Sequence, residues 1–140
     1  MIDVRIFAPA FAMVGLTTIV MVRMLLERTR QMRAERIHFR DIPSGSQMAA
    51  RFADTRAADN YRNLFEMPVL FYLALVVAAL TGLVTPVSLG LAWAYVAVRA
   101  IHSAIHCGYN RVMHRFYAFL ASNLVLWALW GWLGWRLLTA

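Results

Sequence analysis

The sequence predicts an all-α integral membrane protein, a single bundle of four transmembrane helices. Of its 140 residues 61% are hydrophobic and 15% charged, and mean hydropathy is +0.59, outside the range of a soluble globular domain. Four stretches, about 6–26, 57–83, 87–108 and 116–138, reach the roughly 20 helical residues that span about 30 Å of hydrocarbon. Two of them carry polar residues at helical spacing. Arg56, Asp59, Asn63 and Glu66 recur at steps of three, four and three, and Tyr95, Arg99, His102, His106 and Tyr109 at steps of four, three, four and three. At 3.6 residues per turn each set lies on roughly a quarter of a helix surface. The length supports one domain, residues 1–140.

The first span, Ile6–Leu26, has only Arg5 against Asp3 before it, while Arg23, Arg28, Arg30, Arg33 and Arg36 follow. That charge order reads as an uncleaved anchor with its start outside the cytoplasm, not a cleavable signal peptide. Charges of both signs over Glu27–Arg40 predict a solvated extension of the helix, ended by Pro43 and Gly45 in Asp41-Ile-Pro-Ser-Gly-Ser. The second span is apolar from Leu64 to Leu83, with its polar stripe at the start. Thr81-Gly-Leu-Val-Thr-Pro86 carries no charge and links it to the third span. The third ends near Tyr109, where Gly108 and Asn110 interrupt the helix. Arg111 and Arg115 lie before the fourth, whose Trp127, Trp130, Trp132 and Trp135 read as a lipid-facing aromatic belt near its outer end. The positive-inside rule predicts both Arg-rich loops in the cytoplasm and both termini outside.

The net charge of +7 comes entirely from Arg, most of it in juxtamembrane loops. It therefore reads as topology determinants and anionic-headgroup contacts, and no nucleic-acid partner is expected. The single Cys107 excludes an intrachain disulfide framework. His102 and His106 share a helix face, but no further ligand or His-Glu-x-x-His pattern accompanies them, so no metal is expected.

Ionisable groups in hydrocarbon cost several kcal/mol unless they face protein or water, so two polar stripes in one short chain point to a site between helices. Arg forks suit carboxylates. Asn63 offers a donor and an acceptor, and Glu66 accepts from an ammonium group. A free thiol with a pKa near 8.5 is only a few per cent ionised at neutral pH. An Arg such as Arg115 beside it lowers that pKa, and two units correspond to about 2.7 kcal/mol.

The run Asn63-Leu-Phe-Glu66-Met-Pro68 and the frame Arg99-x2-His102-x3-His106-x8-Arg115 resemble the membrane-associated proteins in eicosanoid and glutathione metabolism, the MAPEG family. The resemblance covers nearly the whole chain. The Arg-His-His-Arg frame is similar to the prostaglandin-forming branch, and Asn63 to Tyr72 looks most like the poorly characterised bacterial members, which implies a bacterial inner membrane. It implies a homotrimer of four-helix protomers in the lipid bilayer, with glutathione as co-substrate between subunits near the cytoplasmic side. It further implies transferase or peroxidase action on lipophilic electrophiles entering from the membrane. Asn63, Glu66, Arg99, His102 and His106 fall at family positions that line the glutathione site, and Arg115 at the thiolate-stabilising Arg. Arg56 and Tyr109 extend the two stripes and join the glutathione-binding candidates. Two positions depart from the family. Asp59 stands four residues before the Asn where an Arg grips glutathione in the better-known branches, and His106 stands where Tyr is common. A small four-helix exporter and a non-catalytic scaffold remain alternatives; the exporter depends on a carboxylate in the first span, and Ile6–Leu26 has none.

Overall fold

The computed structural model describes residues 3–38, 40 and 52–139. The described residues are helical and contain no strand. A 3-10 turn, Val4–Phe7, leads into α1, Ala8–Ala34. The helices α2, Arg56–Asn63, and α3, Met67–Leu80, follow in line, then α4, Pro86–Cys107, and α5, Val112–Leu138. Four helical runs, Val4–Ala34, Arg56–Leu80, Pro86–Cys107 and Val112–Leu138, are long and apolar enough to cross a membrane.

Helix ends follow from local chemistry. The α1 helix stops at Ala34, short of the solvated extension to Arg40 that charge patterning suggests. Arg36 adopts a left-handed φ of 54°, and the Ile37 N–H turns back to the Met32 carbonyl at 3.0 Å. That six-to-one bond closes the helix without a glycine. The expected break at Pro43 and Gly45 lies outside the described residues. Gly82, at φ 70°, ends α3 in the same way, with Leu83 N–H on the Ala78 carbonyl at 2.9 Å. Thr85 and Ser88 form a reciprocal capping box at the start of α4, with Pro86 at its first position.

Pro68 divides the second span. It has no N–H for the Leu64 carbonyl, and its ring crowds that oxygen in a continuous helix. The chain turns through Leu64–Glu66 and restarts at Met67.

The core runs along one seam: Ile6, Met13, Val20 and Met24 meet Phe71, Ala74, Leu75 and Ala78, then Ala92, Tyr95 and Val96, then Leu126, Leu129 and Leu133. Ala74 and Ala78, one turn apart, let neighbouring backbones approach closely, as bilayer packing requires. The α4 and α5 helices form the most extensive pair, an antiparallel hairpin closed by Gly108–Arg111. Not all the tryptophans are lipid-facing. Trp127 and Trp135 are exposed, but half-buried Trp130 donates its indole N–H to the Leu70 carbonyl at 3.2 Å and pins α5 to α3.

Candidate functional site

The break before Pro68 creates the first feature of the site. In a continuous helix the Asn63 carbonyl would accept from the Met67 N–H. Here it accepts from Arg99 Nη2 at 3.1 Å and, more weakly, from the Glu66 N–H at 3.4 Å, while Asn63 Oδ1 accepts from Arg99 Nη1 at 3.0 Å. Arg99 thus bridges α4 to the open end of α2 with a two-pronged bond. The guanidinium is wholly buried, 5.8 Å from the Tyr95 ring and 5.9 Å from that of Phe119. Each desolvated cation–π contact of this kind is worth about 0.5–2 kcal/mol. Tyr95 in turn stacks on Phe71 with centroids 4.5 Å apart. Asn63 Nδ2 donates to Glu66 Oε2 at 3.2 Å, which carries the chain of polar groups out to the exposed carboxylate.

One helical turn beyond Arg99, His102 and His106 stand edge to face with centroids 5.5 Å apart, both buried. Arg115 reaches them from the first turn of α5. Its Nη1 contacts His106 Nε2 at 3.2 Å and donates to Asn110 Oδ1 at 2.9 Å. Asn110 holds that position through its left-handed φ of 50°, with its N–H on the Ile105 carbonyl at 2.9 Å. Gly108 makes the turn possible, because a Cβ there would lie 2.7 Å from the Ala104 carbonyl oxygen. The α4–α5 turn therefore aims Arg115. His102, His106 and Arg115 line a cleft of ≈ 440 Å³ together with Asn63, Asp59, Arg62, Val112, Phe116 and Phe119. The lining combines charged groups of both signs with the apolar Val112, Phe116 and Phe119, which flank Arg115 on α5. The Nδ1 atoms of both histidines are buried with no hydrogen-bond partner among the described residues.

The structure thus gathers Asn63, His102, His106 and Arg115 at one cleft, with Arg99 behind Asn63 and Glu66 bonded to it. Arg56 and Tyr109 lie elsewhere in the protomer. Arg56 pairs with Asp54 at 2.6 Å and donates to the Gly108 carbonyl, while Arg23 Nη2 donates to the Cys107 carbonyl at 2.6 Å. Two cations thereby occupy the open carbonyls at the C-terminus of α4, where the helix dipole favours them. The Arg56 guanidinium holds the Asp54 carboxyl down at about 2. Tyr109 is exposed, its hydroxyl 2.9 Å from His114 Nδ1. The α4 stripe from Tyr95 to His106 is buried within the chain itself, whereas Asp59, Arg62 and Glu66 remain exposed.

Sequence reading passed over Phe116 and Phe119, whose apolar character in an apolar helix carries no signal, and Asn60. Asn60 is fully buried, with Nδ2 on Cys107 Sγ and Oδ1 accepting from Ser103, both at 3.4 Å. Its three-residue spacing from Asn63 was the available clue. Among the described residues no group of three or more His, Cys, Asp or Glu is gathered to hold a metal.

Compared with known proteins, residues 6–135 match the model of the MAPEG family. No curated protein and no solved structure matches the chain.

Proposed function

The chain belongs to the MAPEG family of multi-pass membrane proteins, whose general chemistry is glutathione-dependent transfer and peroxide reduction, and from that premise we propose that the cleft binds glutathione and ionises its thiol. One observation carries this reading: the half-buried Arg115 guanidinium at the cleft, fixed by His106 and Asn110. A cation held rigidly beside a partly desolvated thiol favours the thiolate over the thiol. Asn63 supplies amide donors and a carbonyl toward a peptide-like ligand, and exposed Glu66 an acceptor for an ammonium group. Arg99, with no exposed surface, serves the ligand indirectly by holding Asn63. Phe116 and Phe119, beside Arg115 on α5, give the cleft the apolar surface that a lipophilic electrophile arriving from the bilayer would contact.

The cleft stands at the end of the bundle beside the Arg-rich loops, which we assign to the cytoplasmic side of the inner membrane, with both termini outside. We further propose self-association as a homotrimer, in which a neighbouring protomer covers the exposed Asp59, Arg62 and Glu66 edge. Asp59 lines the cleft and accepts from the Thr55 hydroxyl at 2.8 Å. Its negative charge opposes a ligand with two carboxylates, so binding of glutathione is expected to be weak.

The test is titration calorimetry of purified protein with glutathione and S-hexylglutathione, paired with ultraviolet difference spectra of the thiolate. Wild type should bind both and show the thiolate with glutathione. Arg115→Ala should lose the thiolate signal while keeping most of its affinity for the S-hexyl conjugate, which has no thiol to ionise. Binding of neither compound would remove the reading.

A further inference from the structure

The contact between Arg115 and His106 fixes more than the position of the arginine. A guanidinium has five N–H donors and no acceptor. Its Nη1, 3.2 Å from His106 Nε2, therefore requires a lone pair on that nitrogen. The imidazole is neutral, and its one proton sits on Nδ1. That Nδ1 is buried without a partner among the described residues, on a side chain 6% exposed in the cleft wall. His106 thus holds its one basic lone pair on the Arg115 guanidinium, directly beside the place where that cation would hold a sulfur. The charged and titratable groups around it are Arg115 from α5, His102 from its own helix, and Asp59 and Arg62 from α2, with Asn110 completing the turn.

We infer that His106 is the proton acceptor for the thiol bound at Arg115, so that the thiol ionises within the site instead of releasing its proton to water. The inference rests on the glutathione reading and adds the destination of the proton. The S–H bond breaks, the proton joins the Nε2 lone pair, and the electron pair stays on sulfur as a thiolate facing the Arg115 guanidinium. His106 and Asn110 take both N–H groups of Nη1, so the sulfur sits on Nη2 of the same guanidinium and its proton reaches Nε2 through one water. As Nε2 takes the proton it gives up its bond from Arg115, and the freed N–H of the guanidinium turns to the new anion. When the thiolate forms its bond to an electrophilic carbon, the electron pair displaced onto the leaving group or oxygen takes the proton back from Nε2. Nothing is oxidised or reduced, and the histidine ends neutral as it began. Arg115 and His106 then divide the work, the first stabilising charge and the second storing the proton.

This assignment makes the proton count the decisive measurement. Glutathione binding to wild type is followed by calorimetry in two buffers of different ionisation enthalpy, alongside the thiolate band. The expected result at neutral pH is thiolate formation with close to no proton released to buffer. Release of about one proton per thiolate would overturn the assignment without any variant. His106→Gln keeps an oxygen that accepts from Arg115 but cannot take a proton. Its thiolate population at neutral pH should fall on the order of tenfold, with the thiolate appearing only at higher pH. S-hexylglutathione binding by the same variant reports that the cleft has survived. An unchanged thiolate titration in His106→Gln would sink the role of His106 while leaving the glutathione reading intact. Absence of thiolate in wild type would take down both.

Discussion

At the scale of single residues, Arg115 and Asp59 act on the cleft with opposite signs. Arg115→Lys should recover only part of the thiolate lost in Arg115→Ala, because an ammonium cannot address His106 and Asn110 as a planar fork does. Asp59→Arg should tighten glutathione, measured by calorimetry, since it replaces a repulsive charge at the cleft with one that pairs a carboxylate. Unchanged or weaker binding would argue for a physiological thiol with fewer carboxylates. Asp54 gives a pH test outside the membrane. Its carboxyl is held at about 2, below the ordinary value near 3.8, so its contribution to stability is complete above pH 4 and fades as pH falls toward 2. Asp54→Asn should therefore lower stability at pH 7 by less than about 1 kcal/mol, given the exposure of the pair, and the difference should vanish in acid. Thermal melts in detergent across that range would check it. Such roles were unevenly legible in the sequence. Arg99, His102 and His106 stood out because charge is costly in an apolar helix. Arg56 stood on the right stripe for the wrong reason, since its partners, Asp54 and the Gly108 carbonyl, depend on where a distant helix ends.

At the scale of elements, two irregularities build the site. Pro68 frees the Asn63 carbonyl for Arg99, and Gly108 permits the turn that aims Arg115. Pro68→Ala would let α2 run into α3, returning the Asn63 carbonyl to the helix and depriving Arg99 of one partner. Affinity for S-hexylglutathione should fall more than melting temperature does, because helix propensity gained at Ala offsets part of the lost bond. Gly108→Ala should instead cost stability directly, on the order of 1–3 kcal/mol, as the Ala104 carbonyl has no room to move within its own helix. Helix existence was readable from apolar length. The division of the second span was not, because a proline near a helix start is compatible with both a clean beginning and a break. The shortened α1 was hidden as well, since an arginine rarely takes the left-handed conformation that ends it.

At the scale of the whole molecule, the Arg distribution fixes expected sidedness. Reporter fusions should place position 44 inside, and position 84 and the carboxyl end outside; a cytoplasmic carboxyl end would overturn that assignment. Native mass spectrometry in mild detergent should show trimers, and monomers alone would mean that the exposed edge of α2 is left to lipid and water. The buried Arg99 also bears on how the chain is made. A helix carrying an arginine in its interior enters hydrocarbon at an apparent cost of about 2.5–3.5 kcal/mol unless the charge is met. The segment Pro86–Cys107 is the least apolar of the four candidate spans. Its partner, the open carbonyl of Asn63, lies on the span synthesised just before it. Insertion of the third span is therefore expected to depend on the second, and deleting Arg56–Leu80 from a glycosylation-mapped insertion reporter should lower the membrane-inserted fraction of Pro86–Cys107.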